Sequence, residues 1–96
     1  MERVIYLNCL YDYYKDLFTE KQKMYYEDYY WNNLSLSEIA SNNGVSRNAV
    51  HNQLKIIEDR LEELEKVLKL NDKKEKILKL LDGIDSSILE DIKKLL

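Results

Sequence analysis

Residues 34–54 read LSLSEIASNNGVSRNAVHNQL, and this stretch decides the fold. Ser35 and Glu38 form a capping box, in which the hydroxyl accepts from a backbone N–H three residues on and the carboxylate reaches back to the cap. Ile39 and Ala40 face inward, and Ala40 is small enough for a second helix to cross close by. Gly44 stands where the chain must reverse, and glycine takes up the left-handed backbone at least cost. Val45 fills the corner. Ser46 caps the next helix, whose Val50 and Leu54 turn back onto the first. Two short helices joined by a tight turn make a helix-turn-helix over residues 35–55. Ser46, Arg47, Asn48, His51, Asn52 and Lys55 are left on the outside, with no acid among them. In the usual docking geometry such side chains enter the major groove of DNA. The same tri-helical unit also serves as a protein or RNA docking module, so the motif alone leaves both uses open.

Composition extends the helical reading to the whole chain. Among 96 residues there is no proline, and the only glycines are Gly44 and Gly83. An all-α chain of this length is one domain, or one small domain with an appendage. It buries only about 60–65% of the surface of its unfolded form, so a modest core must suffice or a second subunit must help. The single Cys9 excludes an internal disulfide, fits a reducing compartment and reads as a small buried hydrophobe. One cysteine and one histidine cannot assemble a zinc site between them. No apolar run approaches the roughly 20 residues that span a bilayer, and Asp12 interrupts VIYLNCLY too early for a signal-peptide core. A cytoplasmic protein without membrane insertion is the expectation.

Charge limits the functional reading. Eighteen acids against 15 bases give a net charge of −3, so the chain as a whole does not attract phosphates. Between Gly44 and Ile57 the only charged residues are Arg47 and Lys55, before Glu58 and Asp59 follow. Two basic charges make a thin face, and a dimer that doubled it would hold DNA better than a monomer.

Outward from the motif, apolar residues at 4, 7, 11, 14 and 18 and at 6, 10, 13 and 17 give the first helix, over 2–18, a broad apolar face. Thr19 with Gln22 is a second capping box and opens a helix running to about Asn32. Beyond the motif, Val50, Leu54, Ile57, Leu61, Leu64 and Leu68 continue one seam with heptad spacing, predicting a long recognition helix. Asn71-Asp72 is the predicted break. A fifth helix carrying Ile77, Leu78, Leu80 and Leu81 ends near Gly83, and Ser87 with Glu90 caps a last short one. The division is thus a helix-turn-helix domain over 1–70 and a C-terminal helical extension over 71–96. The lysines at 73, 74, 76 and 79 alternate with acids and read as a solvated face.

All the aromatic residues lie within the first 31 positions, among them eight tyrosines. Core packing and a dimer surface account for them best. A partner-protein groove or a stacking platform for unpaired bases fits less well, because Asp12, Asp16, Glu27 and Asp28 are interleaved with the rings. The long seam outlasts what the motif's own core needs. Tyr6, Leu10, Tyr13, Tyr14, Leu17, Ile57, Leu61, Leu64 and Leu68 are therefore the candidate homodimer or partner interface.

Two resemblances rest on particular residues. Phe18-Thr19 with Gln22, then Tyr30, then the run from Leu34 through Ser35, Glu38, Ala40, Gly44, Val45, Ser46 and Arg47 to Val50 resembles region 4 of bacterial sigma factors, a module that reads a promoter element. More narrowly, NCLYDYYKDLFTEKQ (8–22) and VSRNAVHNQLKIIEDRLEELE (45–65) resemble the YlxM family of small bacterial helix-turn-helix proteins, specifically at Asn8, Leu10, Asp12, Tyr14, Leu17, Thr19 and Gln22. The similarity covers about residues 5–70 and fades beyond Asn71. Two positions depart from the family pattern: Asp28 stands where an apolar residue is usual, and Glu20 where proline is frequent. The resemblance implies an all-helical dimer linked to the signal recognition particle pathway.

Two functions follow as expectations. One is a DNA-binding regulator that reads duplex DNA through Ser46, Arg47, Asn48, His51, Asn52 and Lys55. The other is an adaptor, with the motif as scaffold, docking the signal-recognition GTPase or its RNA. No phosphate loop, nucleophile–base pair or metal cluster is visible, and His51 has no carboxylate at helical spacing to orient it. Neither catalysis nor a cofactor is expected.

Overall fold

The computed structural model describes residues 2–96, and among them the regular structure is helical, with no strand. α1 spans Glu2–Tyr14, α2 Glu20–Tyr30, α3 Leu36–Asn43, α4 Arg47–Leu68, α5 Leu70–Leu80 and α6 Ser86–Leu95. α4 is the spine, about 33 Å long at 1.5 Å per residue, and α1, α2 and α3 pack along it. Its seam is covered from within the protomer. Leu7, Leu10, Tyr11 and Tyr14 of α1 are buried together with Val50, Leu54, Ile57, Leu61 and Leu64 of α4.

That burial corrects the expected interface. Leu10, Tyr14, Ile57, Leu61 and Leu64 belong to the protomer's own core and have no face left for a second subunit. Tyr13 is partly buried, its ring 5.8 Å from the Lys74 ammonium. Tyr6, Leu17 and Leu68 alone of the proposed set stay well exposed. The heptad spacing of α4 is real, but α1 supplies the partner helix.

α1 ends earlier than its apolar stripe suggests. After Tyr14 the chain tightens into a 3-10 turn over Lys15–Leu17, and Phe18 becomes extended, which brings its ring into the core and presents Thr19 as a cap. The Thr19–Gln22 box forms in both directions, at 3.1 and 3.0 Å. α2 closes on Asn33 in the left-handed conformation, with the Leu34 N–H donating to the Asp28 carbonyl. The carboxylate of Asp28, the residue that departs from the family pattern, is half-buried and accepts from the Asn32 side chain at 3.1 Å, adding a tie at this helix end.

The core is rich in tyrosine, and each well-buried hydroxyl is matched to an acceptor. Tyr11 donates to Glu27 at 2.6 Å, Tyr26 to Asn8 at 2.7 Å, Tyr30 to Glu58 at 2.8 Å and Tyr14 to Glu65 at 2.7 Å. The Tyr11 and Tyr26 rings stack with centroids 4.0 Å apart.

Asn71-Asp72 does not break the chain. The break is at Lys69, a non-glycine residue at φ +57°, and Asn71 lies buried in the first turn of α5. Glu65 explains the shift. Its carboxylate is buried at the end of α4 and accepts from the backbone N–H of Asn71 at 3.1 Å and of Asp72 at 3.0 Å. The Tyr14 oxygen takes the Leu70 N–H at 3.2 Å. The last turn of α4 thus caps the helix that follows it. The last helix is likewise capped by Asp85 rather than Ser87: Asp85 accepts from the Ser87 hydroxyl and N–H and the Ile88 N–H, which hold its carboxyl below the ordinary value.

α5 touches α1 and α4, α6 turns back in a hairpin that brings Leu96 beside Cys9, Asp12 and Tyr13, and the molecule measures 51 × 25 × 23 Å. The radius of gyration of 16.3 Å exceeds the about 12.5 Å of a compact chain of this length. α6 buries no residue completely.

Burial and the bond to Glu65 push the Tyr14 phenol up to about 12, and burial also raises Tyr11, Tyr26 and Tyr30 above the ordinary 10. A group raised on folding stabilises fully below its unfolded value and loses that contribution as pH climbs through the folded one. Thermal stability should therefore hold to about pH 10 and fall between pH 10 and 12. Tyrosinate absorbance should rise in two phases, the second coinciding with loss of helical circular dichroism.

Candidate nucleic-acid interface

The sequence around residue 44 builds the turn from several local bonds. Ser35 and Glu38 make their capping box at 3.1 Å in each direction, and the bonds from Ser35 hold the Glu38 carboxyl below the ordinary range. At the other end of α3, the Asn43 amide donates to the Ile39 carbonyl at 2.7 Å. Gly44 sits at φ +63°, ψ +33°, and the Val45 N–H donates to the Ala40 carbonyl at 3.1 Å, a Schellman closure. Val45 packs onto the core, and the Ser46 hydroxyl accepts from the Ala49 N–H at 3.0 Å. The turn thereby sets the start and direction of α4.

With Val50, Leu54 and Ile57 buried, helical geometry dictates what remains outside. Arg47, Asn48, His51, Asn52 and Lys55 are all exposed and share one face, with Ser46 at its N-terminal edge. The structure thus brings the whole expected set together. No acid lies in the first turn of α4. Arg47 makes no ion pair among the described residues. Lys55 is tied to Asp59 at 2.9 Å, which raises its pKa, but both side chains are more than half exposed and the link is weak. The freely available positive charge is therefore concentrated at Arg47, flanked by amide donors and acceptors.

Contacts from distant sequence shape the borders of this face. Glu58 lies one turn beyond Leu54, where the helix becomes acidic. It is held by the Tyr30 hydroxyl and lies 3.6 Å from Arg3, which also bonds Glu62 at 2.7 Å. On the opposite flank, Lys21 of α2 and Gln53 of α4 line a cleft together with Asn52. Neither Arg3 nor Lys21 stands out in the sequence, because no local spacing signals a neighbour tens of residues away. Among the described residues no group of His, Cys, Asp and Glu is placed to hold a metal ion. No helix of the structure is long and apolar enough to cross a membrane.

The capped turn, the left-handed glycine and the exposed face of α4 define a helix-turn-helix protein. The chain belongs to the UPF0122 family, described as "Putative helix-turn-helix protein, YlxM / p13 like", whose profile matches residues 1–95. The match runs past Asn71, beyond the reach of the resemblance over about residues 5–70, and so takes in the C-terminal hairpin. A UPF0122 protein of Shouchella clausii is 40% identical over 91 residues, 95% of this chain and 84% of its own length. One from Oceanobacillus iheyensis is 38% identical, covering 99% of this chain and 95% of its own. One from Malacoplasma penetrans reaches 49% identity over 63 residues, 66% of this chain and 59% of its own length.

Gly44 gives a direct check of the turn. A Cβ built there meets nothing within 4 Å, so the cost of a side chain is conformational and not steric. Gly44→Ala should destabilise the protein by about 1–2 kcal/mol, the penalty of a left-handed residue that carries a Cβ. Gly44→Asn should cost less. Urea denaturation followed by circular dichroism measures both.

Proposed function

We propose that this protein is a DNA-binding regulator in which α4 enters the major groove. The observation that carries this reading is the exposed face of Ser46, Arg47, Asn48, His51, Asn52 and Lys55, with no acid in the first turn of α4, directly after a well-formed turn. Asparagine pairs with adenine and arginine with guanine through two hydrogen bonds each, and a good pair gives about 1–3 kcal/mol of discrimination. Ser46 lies where a helix start meets the DNA backbone, and the neighbouring N–H groups favour a phosphate. With one free arginine on the face, a single copy binds weakly, which favours a homodimer.

The C-terminal hairpin supplies the dimer surface in this reading. Leu80 is 85% and Leu95 87% exposed, and Ile77 and Ile88 are also exposed. Residues 70–96 carry six lysines and six acids, so two hairpins meet without net repulsion. The alternative reading is the adaptor, in which the same apolar hairpin docks the signal-recognition GTPase or the protein binds its RNA. The net charge of −3 favours the protein partner over either nucleic acid.

Titration into labelled duplex DNA at low salt separates the two. The DNA reading expects binding that weakens about tenfold in Arg47→Ala, in line with loss of one good contact. Absence of duplex binding, beside binding to the GTPase or its RNA, selects the adaptor. Light scattering tests the dimer: a mass twice 11.5 kDa is expected, reverting to 11.5 kDa in Leu80→Glu/Leu95→Glu.

A further inference from the structure

A cleft of about 530 Å³ lies between the start of α2 and the first turns of α4. Its polar lining consists of Thr19, Lys21, Gln22, Asn52 and Gln53, above a floor that includes Val45 and Ala49. No acid lines it, in a chain that carries 18. The hollow on the opposite side of α2 is of the other kind, with Glu20, Glu27 and Asp28 in its wall. α2 therefore separates an acidic side from one with a cation and no acid.

Lys21 is the cation. Among the described residues it makes no ion pair, whereas nearby Lys23 takes up Glu20 at 3.0 Å and Asp16 at 4.0 Å. Its ammonium lies 5.8 Å from the centre of the Tyr25 ring, and Tyr25 is only 4% exposed. The cation–π contact holds the charge at the cleft while leaving its N–H donors free. Asn52 belongs both to this cleft and to the outward face of α4, so the two surfaces are continuous.

We infer that this cleft is a track for the phosphodiester backbone of the DNA whose major groove receives α4, with Lys21 as its anchoring cation. The inference rests on the DNA-binding reading and names a contact surface beyond the recognition helix. A strand bordering the major groove runs beside a helix lying in it, where Lys21, Asn52 and Gln53 donate to phosphate oxygens. The floor of Val45 and Ala49 suits the apolar edge of deoxyribose. A single cation in an open cleft holds a free phosphate poorly, and a continuous strand gains from the contacts of α4 as well.

The test is fluorescence anisotropy with two labelled duplexes of unrelated sequence across a series of salt concentrations. Lys21→Gln should weaken both duplexes equally, by about fivefold at near-physiological salt, and flatten the log K against log salt slope by about one. Gln53→Glu, which adds an acid to the cleft, should weaken both as well. Arg47→Ala is the reference. If both cleft variants keep wild-type affinity and slope while Arg47→Ala weakens binding, the track is rejected and the recognition-helix reading stands. If the wild-type protein binds neither duplex at low salt, both are rejected.

Discussion

A phenol taken into a protein interior must find an acceptor for its hydroxyl, or the core loses more than burial of the ring contributes. That constraint organises this molecule. Tyr11, Tyr14, Tyr26 and Tyr30 are packed among α1, α2 and α4, and each donates to a group on another helix: Glu27, Glu65, Asn8 and Glu58. A hydrocarbon core tolerates rotation of one helix against its neighbour. A core whose rings end in directed bonds of 2.6 to 2.8 Å does not. The bonds set the rotation of α1 and α2 about α4, and the rotation of α4 determines which of its side chains face outward.

The same bonds organise the charge. Glu27, Glu58 and Glu65 serve as acceptors for core tyrosines, and Arg3 stands beside Glu58 and Glu62 on the long arm of α4. Negative charge thus gathers away from the first turns of α4, where Arg47 is free. For a chain of net charge −3, this distribution is what makes contact with a polyanion physically reasonable. The sum would argue against it.

Glu65 joins the two parts of the molecule. By capping α5 from the preceding helix, it makes the hairpin's direction depend on Tyr14 and so on the core. α5 packs on α1 and α4, while Leu80 and Leu95 stand in solvent.

The local devices were legible in the sequence because each depends on residues within one turn of each other. The boxes at Thr19–Gln22 and Ser35–Glu38, the glycine at 44, the cap at Ser46 and the outward set from Arg47 to Lys55 all formed as their spacing required. Periodicity also located the long seam of α4, but it could not say what covers the seam. An apolar stripe has the same spacing whether its partner is a helix of the same chain or of another copy. Tertiary structure decided that question in favour of α1, and so removed Leu10, Tyr14, Ile57, Leu61 and Leu64 from the expected interface. It also decided that the chain breaks at Lys69, because the carboxylate of Glu65 can cap α5 only from there, and it brought Lys21 and Arg3 beside α4. Sequence determined the helical class, the caps at Thr19, Ser35 and Ser46 and the outward side chains of α4, since these are short-range; packing determined where α5 and α6 begin and which surfaces remain free, since that depends on residues that only the folded chain brings together.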